Sequence, residues 1–206
     1  MKRVPALVCA VLLLAGCGGQ PTQVTHGSQQ TQGSHESHDS HGSHGVDAVR
    51  AGDAGFNADD VMFLQMMVPH NVQGVEIVRL AREREVRPEV RDLTEAIATT
   101  QKAENATMAG LLESWKQPPT AAPDEHAAHG GMPGVEPEEI AVIARSAPAD
   151  FEAGLLNMLI AHQDDAVQLA RAASAGGRNA QVRELARRVD VSRSAQIAQM
   201  LALLGQ

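Results

Sequence analysis

Residues 66–70 read MMVPH and residues 158–162 read MLIAH, and each is followed by an apolar helical run: NVQGVEIVRLA after the first, QDDAVQLARAA after the second. The offset between the two stretches, 92 residues, carries through their surroundings without a gap. Leu64, Met66, His70, Val75, Arg79 and Ala81 meet Leu156, Met158, His162, Val167, Arg171 and Ala173. Val90, Arg91 and Leu93 meet Val182, Arg183 and Leu185, and Met108, Leu111 and Leu112 meet Met200, Leu203 and Leu204. Self-similarity over such a length marks a duplicated supersecondary unit. The apolar residues recur at helical spacing, so the unit is a helical hairpin. Two hairpins burying their stripes against each other predict an all-α, four-helix bundle.

Local signals set the boundaries. In FNADDV, Asn57 is a helix N-cap, Asp59 and Asp60 occupy the first turn where the helix dipole favours anions, and Phe56 is placed to staple onto Val61. This helix extends to about Val86, with Pro69 inside it removing the backbone bond to Gln65 and predicting a kink beside His70. Pro88 opens a second helix at its first position and carries it to about Trp115. The first hairpin is thus 56–117. Residues 118–135, rich in Pro and Gly, form a loop, and 136–206 hold the short helix EPEEIAVIARS and a second hairpin, Asp150 to Ala175 and Gln181 to Leu204.

The chain begins MKRVPALVCAVLLLAGCGG. A basic pair, an apolar run too short to cross a bilayer, and small residues before Cys17 resemble a bacterial lipobox. Residues 1–16 read as a lipoprotein signal peptide, and Cys17 as the lipidation site holding an extracytoplasmic protein to the bacterial cell membrane. An ordinary secretory signal with an incidental cysteine is the alternative. Cys9 leaves with the signal, so no thiol remains for a disulfide, metal or catalytic site. Residues 17–55 form a His/Ser/Gly-rich tether lacking the apolar content to fold. It contains SHESHDSHGSH, with His35, His38, His41 and His44 at every third position. Four imidazoles on one strand suit loose capture of a borderline metal, and equally suit a polar spacer. HAAHGGM in the central loop adds His126, His129 and Met132 on the same two terms. A formal charge of −8 excludes a nucleic-acid binder. Aromatic residues at 2% leave an aliphatic core, which favours helices over sheets.

The first helix presents Phe63, Met66, Met67, His70, Gly74 and Ile77 along one face, and the second presents Val90, Leu93, Ile97, Gln101, Glu104, Met108 and Leu111. His70, Gln101 and Glu104 interrupt the apolar stripes. An unpaired buried carboxylate costs several kcal/mol, so Glu104 requires a counter-charge, water or metal. Imidazole with thioether selects a soft ion, most naturally Cu(I). Met67, His70 and Met108, tuned by Glu104, form a first candidate metal site. Met158, His162 and Met200 form a second, poorer one, where Leu159 replaces the Met67 equivalent, Gln196 that of Glu104, and Arg193 that of Gln101. The same residues also fit plain core packing, with Glu104 paired to an arginine. There is no Glu-x-x-His, Gly-rich phosphate loop, G-x-S-x-G or H-E-x-x-H, so no catalytic constellation points to an enzyme.

FNADDVMFLQMMVPH, VEIVRLA, QKAENATM, GGMPG, ADFEAGLLNMLIAH, AVQLA and SAQIAQM together resemble the domain-of-unknown-function 305 family, bacterial exported helical proteins of ferritin-like fold that are often lipid-anchored. The resemblance spans most of residues 56–204. It implies a Met-x-x-His-His hallmark in each repeat and, in some members, copper binding or copper resistance. Met67 and His70 match the first hallmark, with Asp60, Glu76, Gln101, Glu104 and Met108 flanking it; Met158, His162 and Met200 match the second. The second histidine of each hallmark is Asn71 and Gln163 here, and the family's Asp after Phe is Glu152. Two functions follow as expectations: a membrane-tethered copper-binding or buffering protein, or a non-catalytic envelope interaction module that has lost its metal.

Overall fold

The computed structural model describes residues 55–121 and 134–205, which fall within one compact unit, Gly45–Gln206. Cys17, the signal peptide, the tether histidines, His126, His129 and Met132 lie outside the described residues. Five helices follow in order: α1 Ala58–Glu83, α2 Pro88–Ser114, α3 Pro137–Ala144, α4 Pro148–Gly176 and α5 Ala180–Leu204. No strand occurs among the described residues. No helix among them is long and apolar enough to cross a membrane.

The local signals explain most boundaries. Asn57 caps α1 by accepting from the Asp60 amide at 3.0 Å, and the Asp60 carboxylate returns to the Asn57 amide at 2.8 Å, closing a capping box. Phe56 stacks on Trp115, just beyond the end of α2, with ring centroids 4.2 Å apart. Helix α1 is continuous through Pro69. Pro88 and Pro148 each sit in the first turn of their helices; α4 therefore begins before Asp150, because proline pre-sets the helical backbone there. On α2 the buried position near the C-terminus is Leu112, with Leu111 half-buried.

Helices α1 with α2 and α4 with α5 form the two hairpins, which meet principally through α1 and α4. The start of α1 lies against the end of α4, where the Asn57 side-chain amide donates to the Gly176 carbonyl at 2.8 Å, so α1 and α4 run antiparallel. Two core clusters fill the bundle. One gathers Ile77, Ile97, Phe151, Leu155, Leu156, Leu159 and Met200; the other gathers Phe63, Leu64, Met67, Met108, Leu112, Val182 and Leu185.

Each hairpin clamps the turn of the other, and the two clamps are repeat-mates. Asp60 of α1 is fully buried, and its Oδ2 accepts the amides of Arg178 and Asn179 at 3.1 and 2.9 Å, where α5 begins. Glu152, at the matching position of α4, accepts the Arg87 amide at 2.7 Å and the Arg87 Nε at 2.7 Å, where α2 begins. Arg87 and Asn179 are themselves repeat-mates and the N-caps of α2 and α5. Each carboxylate thus satisfies backbone donors that a helix leaves open at its N-terminus. Asp60→Ala strips three amides of one acceptor. The expected loss is about 2–3 kcal/mol, read as a lower urea midpoint at unchanged slope.

Candidate metal centre

His70 lies on α1, one turn beyond Met67, and His162 lies on α4, one turn beyond Met158 and Leu159. Because α1 and α4 pack antiparallel, the two histidines meet at the centre of the bundle. Their rings stack with centroids 3.8 Å apart and planes 22° from parallel. Both are buried, and none of the four ring nitrogens has a hydrogen-bond partner within the protein. Burial drives the His70 pKa down to about 2, aided by the positive charge that His162 or Arg193 would set beside it. Burial and then Arg193 lower His162 to about 4. The backbone of the opposite histidine acts in the other direction on each, as does the Gln163 side chain on His162, and burial outweighs them. Both imidazoles are therefore neutral near pH 7, the form that donates a lone pair to a metal.

A polar layer flanks the stack, again built from repeat-mates. Asn71 donates to Glu104 Oε2 at 3.3 Å, and its mate Gln163 donates to Gln196 at 2.6 Å. Asn71 Oδ1 faces Arg193 Nη2 at 3.5 Å, and Gln163 Oε1 faces Gln101 Nε2 at 3.4 Å. Arg193 reaches across from α5 to α2 in an ion pair with Glu104; its side chain is fully buried, and that of Glu104 is 12% exposed. Glu104 also lines a groove of about 460 Å³ between α2 and α5, together with Thr99, Thr100, Thr107 and Ser192. Gly74 admits this layer: a Cβ there would stand 2.5 Å from Gln101 Oε1. The residues in place of the second hallmark histidines, Asn71 and Gln163, are thus the organising amides of the layer.

The division of candidate ligands into one site per repeat does not describe this geometry, because His70 and His162 share one centre. Met67 and Met108 are buried together in one core cluster. Met200 is buried in the other, where Met158 packs half-exposed. Glu104 is committed to Arg193 rather than to the histidines. Among the described residues, no three of His, Cys, Asp and Glu gather into a metal-holding group. The stacked imidazoles supply two nitrogen donors, and the amide side chains of Asn71 and Gln163, the residues that follow them, stand in the flanking layer. Lone pairs lie in the ring planes, so near-parallel rings do not aim at one point; sharing an ion requires a ring to turn. The stripes showed Gln101 and Glu104 of this layer, but not that Asn71, Gln163, Arg193 and Gln196 complete it. Their signal was a charge exchange between repeat-mates: Gln101 with Glu104 in one repeat, Arg193 with Gln196 in the other.

Fold and site together define a duplicated-hairpin helical bundle whose two halves each contribute one buried histidine to a common centre. The family described as Domain of unknown function (DUF305) matches residues 60–204, and the chain belongs to it. It is similar to the crystal structure of a DUF305 fragment from Deinococcus radiodurans, with 25% identity, a TM-score of 0.63, and coverage of 72% of this chain and 97% of that one. It is also similar to a candidate secreted DUF305 protein from Streptomyces coelicolor, with 28% identity, a TM-score of 0.66, and coverage of 71% and 92%. The Cu(I)-bound form of CopM shares the fold at 22% identity and a TM-score of 0.59, over 70% of this chain and 94% of that one; CopM also has Cu(II)- and silver-bound forms. No curated protein matches the chain.

Proposed function

We propose that this protein is an extracytoplasmic metal-binding protein that binds or buffers copper, held to the bacterial membrane through a lipid on Cys17, and that it acts by binding rather than catalysis. One observation carries the reading: two buried, neutral imidazoles lie in contact, and no protein group satisfies any of their four ring nitrogens. Orphaned polar atoms in a core are costly, and a bound ion would relieve that cost. The donor chemistry fits a soft ion, since imidazole and thioether favour Cu(I) and a hard, oxygen-seeking ion finds no carboxylate cluster here. The copper- and silver-bound CopM structures of the same fold support this reading, and the candidate secreted relative supports an extracytoplasmic location. The tether histidines His35, His38, His41 and His44, with His126 and His129, would gather ions near the bundle.

The alternative, an envelope interaction module without metal, draws on Asn71 and Gln163 standing where the hallmark has histidines. Titrating the full chain with Cu(I) separates the two. Replacing all histidines other than His70 and His162 by alanine should leave one tight site. Adding His70→Ala or His162→Ala should weaken that site at least about 100-fold, the loss of one of two nitrogen donors. Binding that disappears with the other histidines, before His70 or His162 is touched, would reduce the bundle to a partner platform.

A further inference from the structure

The polar layer is assembled from repeat-mates, and its asymmetry is one of charge. Position 101 is Gln and its mate 193 is Arg; position 104 is Glu and its mate 196 is Gln. The resulting ion pair is neutral in sum but directed. Arg193 is fully buried, whereas Glu104 lines the open groove between α2 and α5. The cation therefore points inward. Both charges reach Asn71, the residue that follows His70: Arg193 Nη2 lies 3.5 Å from its side-chain oxygen, and Glu104 Oε2 accepts from its side-chain amide at 3.3 Å; the more deeply buried charge, Arg193, is the one felt at both histidines. A fixed cation repels a second ion in proportion to that ion's charge, and a dry interior screens the repulsion poorly. It therefore opposes a divalent ion twice as strongly as a monovalent one.

We propose that Arg193 is a specificity-determining residue that biases the His70–His162 centre toward soft monovalent ions, Cu(I) or Ag(I), and against divalent ions such as Zn(II). Glu104 is the counter-charge that lets the core hold this cation. The proposal deepens the metal-binding reading above and rests on it.

The test uses the full-length chain with every histidine except His70 and His162 replaced by alanine, titrated with Ag(I) and with Zn(II). R193Q/E104Q makes the layer symmetric, with Gln at all four mated positions. The ratio of Zn(II) to Ag(I) affinity should rise at least about tenfold in R193Q/E104Q, while R193K, which keeps the charge, should hold it within about threefold of the parent. If R193Q/E104Q does not fold, R193M/E104L carries the same test, since apolar replacement of a buried ion pair is generally tolerated. An unchanged ratio in a variant that still binds Ag(I) overturns the role of Arg193 and leaves the metal-binding reading standing. Absence of Ag(I) binding in the parent overturns both.

Discussion

Replacing Glu104 by leucine is expected to lower stability by about 3–5 kcal/mol, because it leaves the Arg193 guanidinium buried without its counter-charge. Burial already pulls the Arg193 pKa below its ordinary value, with Glu104 acting in the opposite direction. The remaining neighbours cannot take over: Ser192 and Asn71 each lie 3.5 Å away, and Nε has no partner. The double variant Arg193→Met/Glu104→Leu should recover most of the loss, since two apolar side chains carry no desolvation penalty. Urea denaturation of the parent, both single variants and the double variant closes the cycle. A Glu104→Leu chain as stable as the parent would show that the pair contributes nothing across α2 and α5.

The second large effect is acid lability. In the metal-free chain, the folded-state pKa values of His70 and His162 lie well below the ordinary value of 6.5. Between the folded and unfolded values, the unfolded chain binds more protons, so stability falls as pH falls. The contribution is complete above about pH 6.5 and shrinks as the pH drops toward 4, where His162 itself begins to protonate in the fold. At pH 5 each histidine costs about 2 kcal/mol relative to pH 7.5, or about 4 kcal/mol for the pair. His70→Phe/His162→Phe, which keeps a stacked pair without titratable groups, should abolish this slope between pH 6.5 and 5. Urea midpoints at pH 7.5, 6 and 5 for both chains measure it. Equal slopes in parent and variant would place the histidines in water rather than in the core.

Much of the fold was legible because helical periodicity is local. Asn57, Pro88 and the apolar stripes of each helix announce their structure within a turn or two, and the 92-residue repeat announces the hairpin. The pairing of hairpins was not legible in the same way. In sequence Asp60 reads as a first-turn acid of its own helix and Glu152 as the acid after Phe151; that each caps the turn of the other hairpin depends on the antiparallel docking of α1 and α4. His70 and His162 were recognisable as candidate ligands, yet their union in one centre follows from the same docking. Glu104 advertised its need for a counter-charge. Arg193, read within its own repeat, looked like an added cation in a poor site, whereas across the interface it is the partner Glu104 requires. Residues acting within a helix are visible in its pattern, and residues acting between hairpins become visible once repeat-mates are compared for compensating charge.

On the proposed function, one histidine from each repeat forms a single soft-metal centre. Its most direct measurement is the ring-nitrogen NMR spectrum of the full chain carrying only His70 and His162, during addition of Ag(I). Both imidazoles should respond together and saturate at one equivalent, with the response of each lost when the other is replaced by alanine. Two separate saturations, or ring signals unmoved by Ag(I), would contradict a shared centre.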